Sequence, residues 1–387
     1  MKQTASIIST YAADVSGVCS ALYELGGMTV MHDPSGCNST YNTHDEPRWY
    51  DFDSLIFISA LSEMEAIMGD DDRLIDEVTE TAKELKPKFI AIAGSPIPMV
   101  IGTDFKAIAR VIETRTGIPC FGFTTNGMHS YLSGVGMAFQ AFAQRMVDAS
   151  DKPEGKHRVN ILGATPLDFS INGSIESVKD WLKHNGFELN SCWAMGSELD
   201  ELIHSGRADV NLVISQSGIS VAKFLQKQFG TPYVVGVPVG KKQAEMLAKK
   251  LFEAEKSGVS ITCPDRMNSD KNQNEIVLIG EGVFATAIAS AIEEKLQKSV
   301  HVLCPLECES EILSSYDIKA KDEEELIPYL EKAQVIIADP LYRPICPSTA
   351  QFVGLGHEAF SGRIYRSEIP NLINKGFDEW FSKNIGG

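Results

Sequence analysis

The sequence predicts an α/β protein built from three tandem Rossmann-like units, each with a parallel β-sheet. Short, continuous apolar runs alternate with amphipathic helical stretches along most of the chain. Such runs are typical of parallel strands that helices cover on both faces. Two polar stretches, 148–157 and 264–274, interrupt the alternation. They predict domains over residues 1–150, 151–264 and 265–387, which agrees with roughly 100–200 residues per domain.

Each unit is predicted from its own strands and helices. The first has strands at 54–60, 88–94 and 119–123, and helices from the acidic start at 70–72, around 105–112 and at 131–147. The second has strands at 158–164, 187–193, 209–215 and 231–237, with helices at 174–184, near 197, near 218 and at 241–255. The third has strands at 275–280, 300–304 and 334–340, and helices at 283–296 and 322–332.

Composition excludes several classes of protein. The 35 basic and 52 acidic residues give a net charge of −17, which repels phosphate backbones and makes a nucleic-acid partner unexpected. No run of about 20 apolar residues is present, so we expect no membrane span. Eight cysteines are too few for a disulfide scaffold, and the first residues lack the apolar core of a signal peptide. We therefore expect a cytoplasmic protein with reduced thiols.

Two glycine-rich loops resemble phosphate-binding loops but lack their chemistry. Between Gly236 and Gly240 lie three residues instead of four, and a lysine occupies the position of the magnesium-binding Ser or Thr. The loop at Gly280 follows a strand but lacks an acidic residue about 20 positions further on, so a tight turn is the better interpretation. We therefore expect this chain to bind neither ATP nor NAD itself.

Some cysteine and histidine positions leave alternatives open. Cys304 and Cys308 form a CxxxC at the end of a strand, but without a second pair they indicate a zinc site only weakly. His357 lies in a Gly-rich loop with an arginine, a composition that suits either a pocket wall or a packed loop. His32–Cys37 is a turn in which Gly36 lets the backbone approach a bulky group, so Cys37 is either an iron–sulfur ligand or an ordinary turn cysteine.

Several spaced motifs resemble those of nitrogenase component 1 and its relatives. The family's H-G-P-x-G-C loop is similar to residues 32–37, and its S-A-L-x-E-x-x-x-x-G to residues 59–69, with Glu63 as the glutamate. Its C-x-x-x-x-I-G-D-D element resembles residues 95–104, and residues 339–341 and 357–363 also match. The resemblance covers essentially the whole chain and implies the same three-unit architecture.

The resemblance also implies a metal cluster, with departures from the family pattern. Cys37 matches the middle of three family cysteines, Ser95 stands at the last, and the first would fall near Ala12. This incomplete set favours the nitrogenase-like branch with a simple 4Fe-4S cluster. Cys19 is the second candidate ligand or else a buried helix cysteine, and Asp33 or Asp14 is a further option. Glu63 is expected to cap or orient backbone near the cluster.

The family mechanism implies a reductase that receives its electrons from a partner. A separate ATP-hydrolysing iron protein would deliver low-potential electrons through the cluster to a tetrapyrrole-like or other unsaturated organic substrate in the cleft among the units. Candidate proton donors are His32, His44, His129 and His357, of which His32 and His357 are expected to be catalytic. The iron protein is expected to dock over residues 32–70, where the acidic residues are Asp33, Asp45, Glu46, Asp51 and Asp53.

Two other interpretations stay open at this point. The first is a scaffold on which a metal cofactor is assembled, and the second is a ligand-binding protein of similar architecture without a cluster. The expected assembly is a homodimer with one bridging cluster, bound by Cys37 and Cys19 of both chains.

Overall fold

The chain folds into three α/β units, each with an all-parallel sheet, as predicted. The computed structural model describes residues 5–34, 45–148, 157–262, 266, 275–320 and 322–386. Numbered along the chain, the first four strands form the first sheet in the spatial order second, first, third, fourth. The next five form the second sheet in the order sixth, fifth, seventh, eighth, ninth, and the last five form the third sheet in the order twelfth, eleventh, tenth, thirteenth, fourteenth. Each sheet falls within one of the three predicted sequence ranges. Most of the two polar stretches lies outside the described residues, so the domain boundaries stay a prediction.

The first unit contains four strands and six helices among its described residues. Its strands are β1 Met28–His32, β2 Leu55–Ile58, β3 Ile90–Gly94 and β4 Cys120–Phe123. Its helices are α1 Asp14–Leu22, α2 Glu63–Met68, α3 Asp72–Leu85, α4 Pro96–Ile101, α5 Phe105–Thr116 and α6 Tyr131–Met146. Strand β1 was not predicted; it pairs with both β2 and β3 and is buried along its whole length.

The second unit follows the predicted alternation and adds a short edge strand. Its strands are β5 Arg158–Leu162, β6 Glu188–Cys192, β7 Val210–Val213, β8 Tyr233–Val235 and β9 Ile261–Thr262. Its helices are α7 Pro166–Phe169, α8 Ser174–His184, α9 Leu199–Ile203, α10 Ile219–Phe229 and α11 Lys241–Ser257. The short strand β9 and helix α7 were not predicted.

The third unit contains more secondary structure than the sequence indicated. Its strands are β10 Ile276–Ile279, β11 Val300–Cys304, β12 Ile318–Lys319, β13 Val335–Ala338 and β14 Gln351–Gly354. Its helices are α12 Gly282–Leu296, α13 Glu323–Leu330, α14 Glu358–Tyr365 and α15 Lys375–Asn384. The expectation that His357 lies in a loop was wrong in part, because His357 caps α14 and the residues after it are helical up to a kink at Ser361.

The helices α1 and α6 approach each other so closely that glycine is required on both. A Cβ built on Gly17 would lie 2.1 Å from the carbonyl oxygen of Tyr131, and one on Gly134 would lie 1.8 Å from that of Asp14. The Asp14 side chain also links α1 to the segment before α6, because it accepts hydrogen bonds from the backbone N–H groups of Asn126 and Gly127. This contact therefore fixes α6, which leads from the first unit into the centre of the molecule.

A buried arginine ties the first unit to the second. Arg48 makes ion pairs of 2.7 Å with Glu46 and 2.9 Å with Glu24, and it donates a hydrogen bond of 2.9 Å to the carbonyl oxygen of Ala194. Two carboxylates thus balance one guanidinium that is almost completely removed from water. The pairing compensates the desolvation cost that an isolated buried charge would carry.

The segment before α1 runs back to the third unit. The backbone N–H of Ser6 donates to Glu323, and the Tyr342 hydroxyl donates to the carbonyl oxygen of Ser9. The backbone N–H of Tyr11 then donates to the carbonyl oxygen of Ala359. Residues 6–11, called here the N-terminal strap, therefore connect the beginning of the described chain to its last unit. Among the described residues, no helix is long and apolar enough to cross a membrane.

Candidate functional site

Three of the predicted motifs meet where β1, β2 and β3 end. The Nδ1 atom of His32 lies 2.8 Å from the Ser59 hydroxyl, and the backbone N–H of Asp33 donates to the same hydroxyl. The Ser95 hydroxyl donates to the Asp33 carboxylate. We call His32, Asp33, Ser59 and Ser95 the strand-end site. All of its side chains except Ser59 are buried.

The histidine of the strand-end site is held neutral. Burial lowers the pKa of His32 to about 4, although the charge of Glu65 acts in the opposite direction. Its Nε2 is buried and has no hydrogen-bond partner among the described residues. At neutral pH, His32 is therefore suited to accept or relay a proton and not to act as a cationic acid.

The main predicted ligand cannot be placed beside this site. Cys37, Gly36 and His44 lie outside the described residues. Cys19 is described: it lies fully buried in α1, and burial raises the pKa of its thiol. Such a position agrees with the packing alternative for Cys19, and its role as a ligand stays a prediction.

Glu63 does not cap α2, and its expected role in capping or orienting backbone near the cluster stays a prediction. The capping box of α2 is formed by Ser62 and Glu65, whose side chains bond each other's backbone N–H groups. Glu63 is the first residue of α2, and it is exposed. The acidic docking surface also needs correction, because Asp33 and Glu46 are buried and Asp45 is paired with Arg363. Asp51 and Asp53 are exposed as expected.

The residues of the strand-end site are better suited to border a metal cluster than to bind one by themselves. Within the described ranges, no group of three or more His, Cys, Asp or Glu side chains is arranged to hold a metal ion. The buried Asp33 carboxylate, the orphaned Nε2 of His32 and the Ser95 hydroxyl nevertheless converge directly before the segment that carries Cys37. They would surround a group bound by Cys37, and thiolates would have to supply the principal ligation.

A second polar cluster lies where the three units meet. Asp168 comes from the short helix α7 after β5, Glu281 from the turn after β10, and His357 from the turn after β14. Tyr131, at the start of α6, reaches the same point from the first unit. We call these four residues the junction site. Because the carboxyl ends of parallel strands point into it, it occupies the position where ligands bind in open α/β sheets.

Asp168 is the centre of the junction site. It accepts hydrogen bonds from the Tyr131 hydroxyl and, at 3.1 Å, from the Thr165 hydroxyl, with a third from Ser215. Burial raises the pKa of Asp168, and these three donors counteract the rise without cancelling it. The carboxyl group therefore holds a proton at higher pH than an exposed aspartate does.

Glu281 is a second buried acid within electrostatic range of the first. Its carboxyl group caps α12 by accepting N–H bonds from Val283 and Phe284, and it accepts one of 3.0 Å from Gln216 of the second unit. Burial and, next, the charge of Asp168 raise the pKa of Glu281. Two carboxyl groups that repel each other in a dry site favour a state in which one proton is shared between them.

His357 completes the junction site as a neutral base. Its ring stacks on Phe360, and its Nε2 lies 3.7 Å from the Asp168 carboxylate. Burial lowers the pKa of His357 to about 3. Neither ring nitrogen has a hydrogen-bond partner among the described residues.

A small cavity opens between these groups. It has a volume of about 30 Å³, and its lining includes Asp168, Glu281, His357 and the rings of Phe169, Phe284 and Phe360. That volume is about the space of one water molecule. A larger ligand therefore requires the second and third units to move apart, and it would meet an apolar wall with acidic groups at one end.

The cysteine pair of the third unit lies beside the junction site. The thiols of Cys304 and Cys308 are in hydrogen-bond contact, and the Cys304 sulfur influences the pKa of Tyr131. The contact between the two thiols and, next, burial raise the pKa of the Cys308 thiol, so Cys308 is held as a neutral thiol. This state does not favour metal binding, which requires thiolates.

His357 is predicted from the sequence, whereas Tyr131, Asp168 and Glu281 were missed. Asp168 follows Thr165 by three residues directly after a strand, which is a helix-capping pattern that gives no indication of function. Glu281 is predicted to lie in a tight turn, and it does lie in that turn. Their shared signal is an acid at the carboxyl end of a buried strand, and the convergence of the two depends on packing between units.

Three parallel-sheet units around a polar cleft, with a second polar site at strand ends, define a protein of the nitrogenase-like architectural class. A family profile described as nitrogenase component 1 type oxidoreductase matches residues 17–340. The chain belongs to this family. A solved structure titled "Nitrogenase Cp1 at pH 5" superimposes with a TM-score of 0.64 over 93% of this chain and 85% of that chain, at 13% identity. This likeness concerns the fold.

Curated relatives belong to functionally different groups. The nitrogenase iron-molybdenum cofactor biosynthesis protein NifE of Clostridium pasteurianum is 28% identical over 60% of this chain and 51% of its own length. A component of the light-independent protochlorophyllide reductase of Nostoc sp. is 23% identical over 52% of this chain and 41% of its own length. This chain therefore spans about half the length of the curated relatives it matches.

Proposed function

We propose that this protein is a nitrogenase-like reductase that accepts low-potential electrons through a 4Fe-4S cluster and reduces an unsaturated organic substrate, such as a tetrapyrrole-like molecule, at the junction site. The observation that carries this proposal is the convergence of Asp168, Glu281 and His357 on a partly apolar cavity between the second and third units. Reduction of a double bond needs protons together with electrons, and these groups can hold and move protons. The family match and the similarity to a protochlorophyllide reductase component support the choice.

The proposed cluster is bound by Cys37 and lies beside the strand-end site. When bound, it would supply one-electron transfer at low potential. Asp33, Ser95 and His32 would border it and keep water away, since all three are buried. Cys19 is the second candidate ligand and Gly36 the residue that permits close approach. The strand-end site and the junction site would then divide electron and proton handling between them.

The proposed assembly is a homodimer that joins through an apolar surface beside the strand-end site. The backbone N–H of Leu61 donates to the carbonyl oxygen of Asp33 shortly before α2 begins, and α4 begins directly after Ser95. Together these helices expose large apolar side chains: Met64, Ile67, Met68, Met99 and Val100. Exposed apolar surface of this kind marks an interface. A second copy placed there would bring two Cys37 segments together, as a bridging cluster requires.

The proposed electron donor is a separate ATP-hydrolysing iron protein. The incomplete phosphate loop at Gly236 supports this, because this chain then depends on another protein for ATP-driven electron delivery. Turnover is expected to need the iron protein and ATP. An equal rate with a chemical reductant in the absence of both would contradict this part of the proposal.

The cluster is tested by anaerobic purification of Cys37→Ala beside wild type. Iron content and the broad visible absorption of the wild type should correspond to about four irons per dimer, and both should be lost in Cys37→Ala. Cys346→Ala is the matched control, because Cys346 lies half-buried in the third unit. Cys19→Ala separates ligation from packing: loss of iron with an unchanged unfolding midpoint supports ligation. A full cluster in Cys37→Ala would disprove the assignment.

A scaffold for metal-cofactor assembly is the second candidate. The NifE relative, whose name states a role in cofactor biosynthesis, favours it. A scaffold would lose its metal cofactor to an acceptor protein and would not release a reduced organic product. Incubation of the iron-loaded protein with the iron protein, ATP and candidate substrates therefore discriminates the two functions.

A further inference from the structure

We propose that Asp168 and Glu281 share one proton at neutral pH and that this carboxyl pair is the proton donor of the cleft. The inference rests on the proposed reductase function for its catalytic part only. The sharing of the proton is a property of the folded chain and can be measured without a cluster or a partner.

The surroundings of the pair favour a single shared proton. The titratable groups that face it are Tyr131 on α6, Cys304 at the end of β11, Cys308 in the segment after β11, and His357 before α14. None of these is cationic at neutral pH, because burial raises the pKa of Tyr131 and lowers that of His357. Among the described residues, no lysine or arginine lines the cavity. Without a cation, two buried negative charges are much less stable than one charge and one proton.

The hydrogen bonds of the two acids favour different protonation states. Glu281 accepts three backbone N–H bonds and lies at the N-terminus of α12, so its environment stabilises the carboxylate form. Asp168 has hydroxyl partners on its side chain, and hydroxyl groups can also accept a bond from a protonated acid. When the proton is on Asp168, Glu281 is the anion, and Asp168 lies next to His357.

The proposed step is a balanced proton transfer coupled to reduction. The cluster would supply the electron that reduces the substrate double bond. Once that electron has been added, the O–H bond of the Asp168 carboxylic acid breaks. A new C–H or N–H bond forms on the substrate, and the pair is left with two negative charges. That state is unstable in the dry site, so the pair takes up another proton before the next electron. His357, 3.7 Å from Asp168, is positioned to relay it.

The same charges restrict the substrate. A site with one negative charge and no cation on its described lining repels anionic groups, so the part of the substrate that enters the cavity is expected to be neutral or cationic. The apolar lining, with the rings of Phe169, Phe284 and Phe360, suits the conjugated part of such a molecule. Carboxylate groups of a substrate would have to lie outside the cavity.

The shared proton is tested by infrared difference spectroscopy on the purified chain. A carboxylic-acid C=O band is expected at about pH 7, well above the range in which exposed carboxyl groups ionise. Asp168→Asn and Glu281→Gln should each lower the pH at which this band disappears, because either change removes the neighbouring charge that adds to the effect of burial on the remaining acid. Glu46→Gln is the control, since Glu46 is a buried carboxylate paired with Arg48. Circular dichroism checks that each variant is folded.

The donor role is tested on the loaded enzyme. Asp168→Asn should lower kcat about 10²–10⁴-fold with KM little changed, as expected for loss of a general acid. Its kcat should also lose the decline that the wild type shows as pH rises. Absence of the infrared band in wild type, or an unchanged pH dependence of the band in both variants, would overturn the inference. A band without any reductase activity would instead refute the proposed function and leave the shared proton established.

Discussion

The contact between α1 and α6 gives a sharp test of how the first unit is held together. Substitution of Gly134 by alanine would place a Cβ 1.8 Å from the carbonyl oxygen of Asp14, and ordinary contact begins at 3.4 Å. The helices would therefore have to separate locally by about 1.6 Å, the difference between these two distances. The obstacle is backbone and not a flexible side chain, so rotation about a side-chain bond cannot relieve it.

The expected loss of stability is the cost of overpacking less the gain in helix propensity when alanine replaces glycine. Inserting atoms into a packed core costs about 1–3 kcal/mol or more, and alanine recovers about 1 kcal/mol relative to glycine inside a helix. A rigid obstacle at 1.8 Å belongs at the upper end of the first range. We expect Gly134→Ala to lower the free energy of unfolding by about 2 kcal/mol. Its unfolding midpoint in urea should decrease accordingly.

Gly136 in the same helix provides a matched control. A Cβ there would meet its nearest atom, the Ser220 hydroxyl oxygen, at 3.5 Å, which is ordinary contact. Gly136→Ala is therefore expected to be neutral or to stabilise the protein by up to about 1 kcal/mol. If urea unfolding gives the same midpoint for both variants, the close approach of α1 and α6 is not what requires glycine at 134.

Three further predictions concern the junction site and the buried arginine. Tyr131→Phe removes a hydrogen-bond donor that stabilises the charged form of Asp168. The pH at which the infrared carboxylic-acid band is half lost should therefore rise, and the free energy of unfolding should fall by about 1–3 kcal/mol. His357 has its pKa lowered to about 3 by burial. Below about pH 6.5 the unfolded chain therefore binds a proton that the folded chain does not, so stability falls as pH decreases from there towards 3. In thermal melts between about pH 7 and pH 5, the melting temperature of His357→Gln should fall less steeply than that of the wild type. Arg48→Met leaves the carboxylates of Glu46 and Glu24 without their guanidinium partner. It should reduce the free energy of unfolding, measured in urea, by about 3–5 kcal/mol. A loss below about 1 kcal/mol would show that water reaches this site.

Local patterns predicted most of the fold because each parallel strand is a continuous apolar run. The helix predicted at 174–184 coincides with α8, and the strand predicted at 300–304 coincides with β11. The strand β1 was missed because Met28–His32 is short, carries a threonine and a histidine, and merges into the motif turn that follows it. Helix α14 was assigned to a loop because its glycine and serine have low helix propensity, which tertiary contacts override.

The two candidate sites differ in how far the sequence could predict them. His32, Ser59 and Ser95 belong to motifs separated by tens of residues, and parallel pairing of β1, β2 and β3 brings them together, as the family resemblance implies. The pair of Asp168 and Glu281 joins two units whose relative placement no local pattern encodes. Burial raises the pKa of both carboxyl groups, and this burial arises where the units pack together, so it cannot be derived from either segment alone.

The N-terminal strap turns a row of three units into a closed ring. Its contacts with Tyr342 and Ala359 mean that the third unit is linked to the first both through the second unit and directly. A ring of this kind has fewer ways to open than a linear chain, since separation at one contact is resisted by the other route. A substrate would then reach the centre by limited hinging of the units.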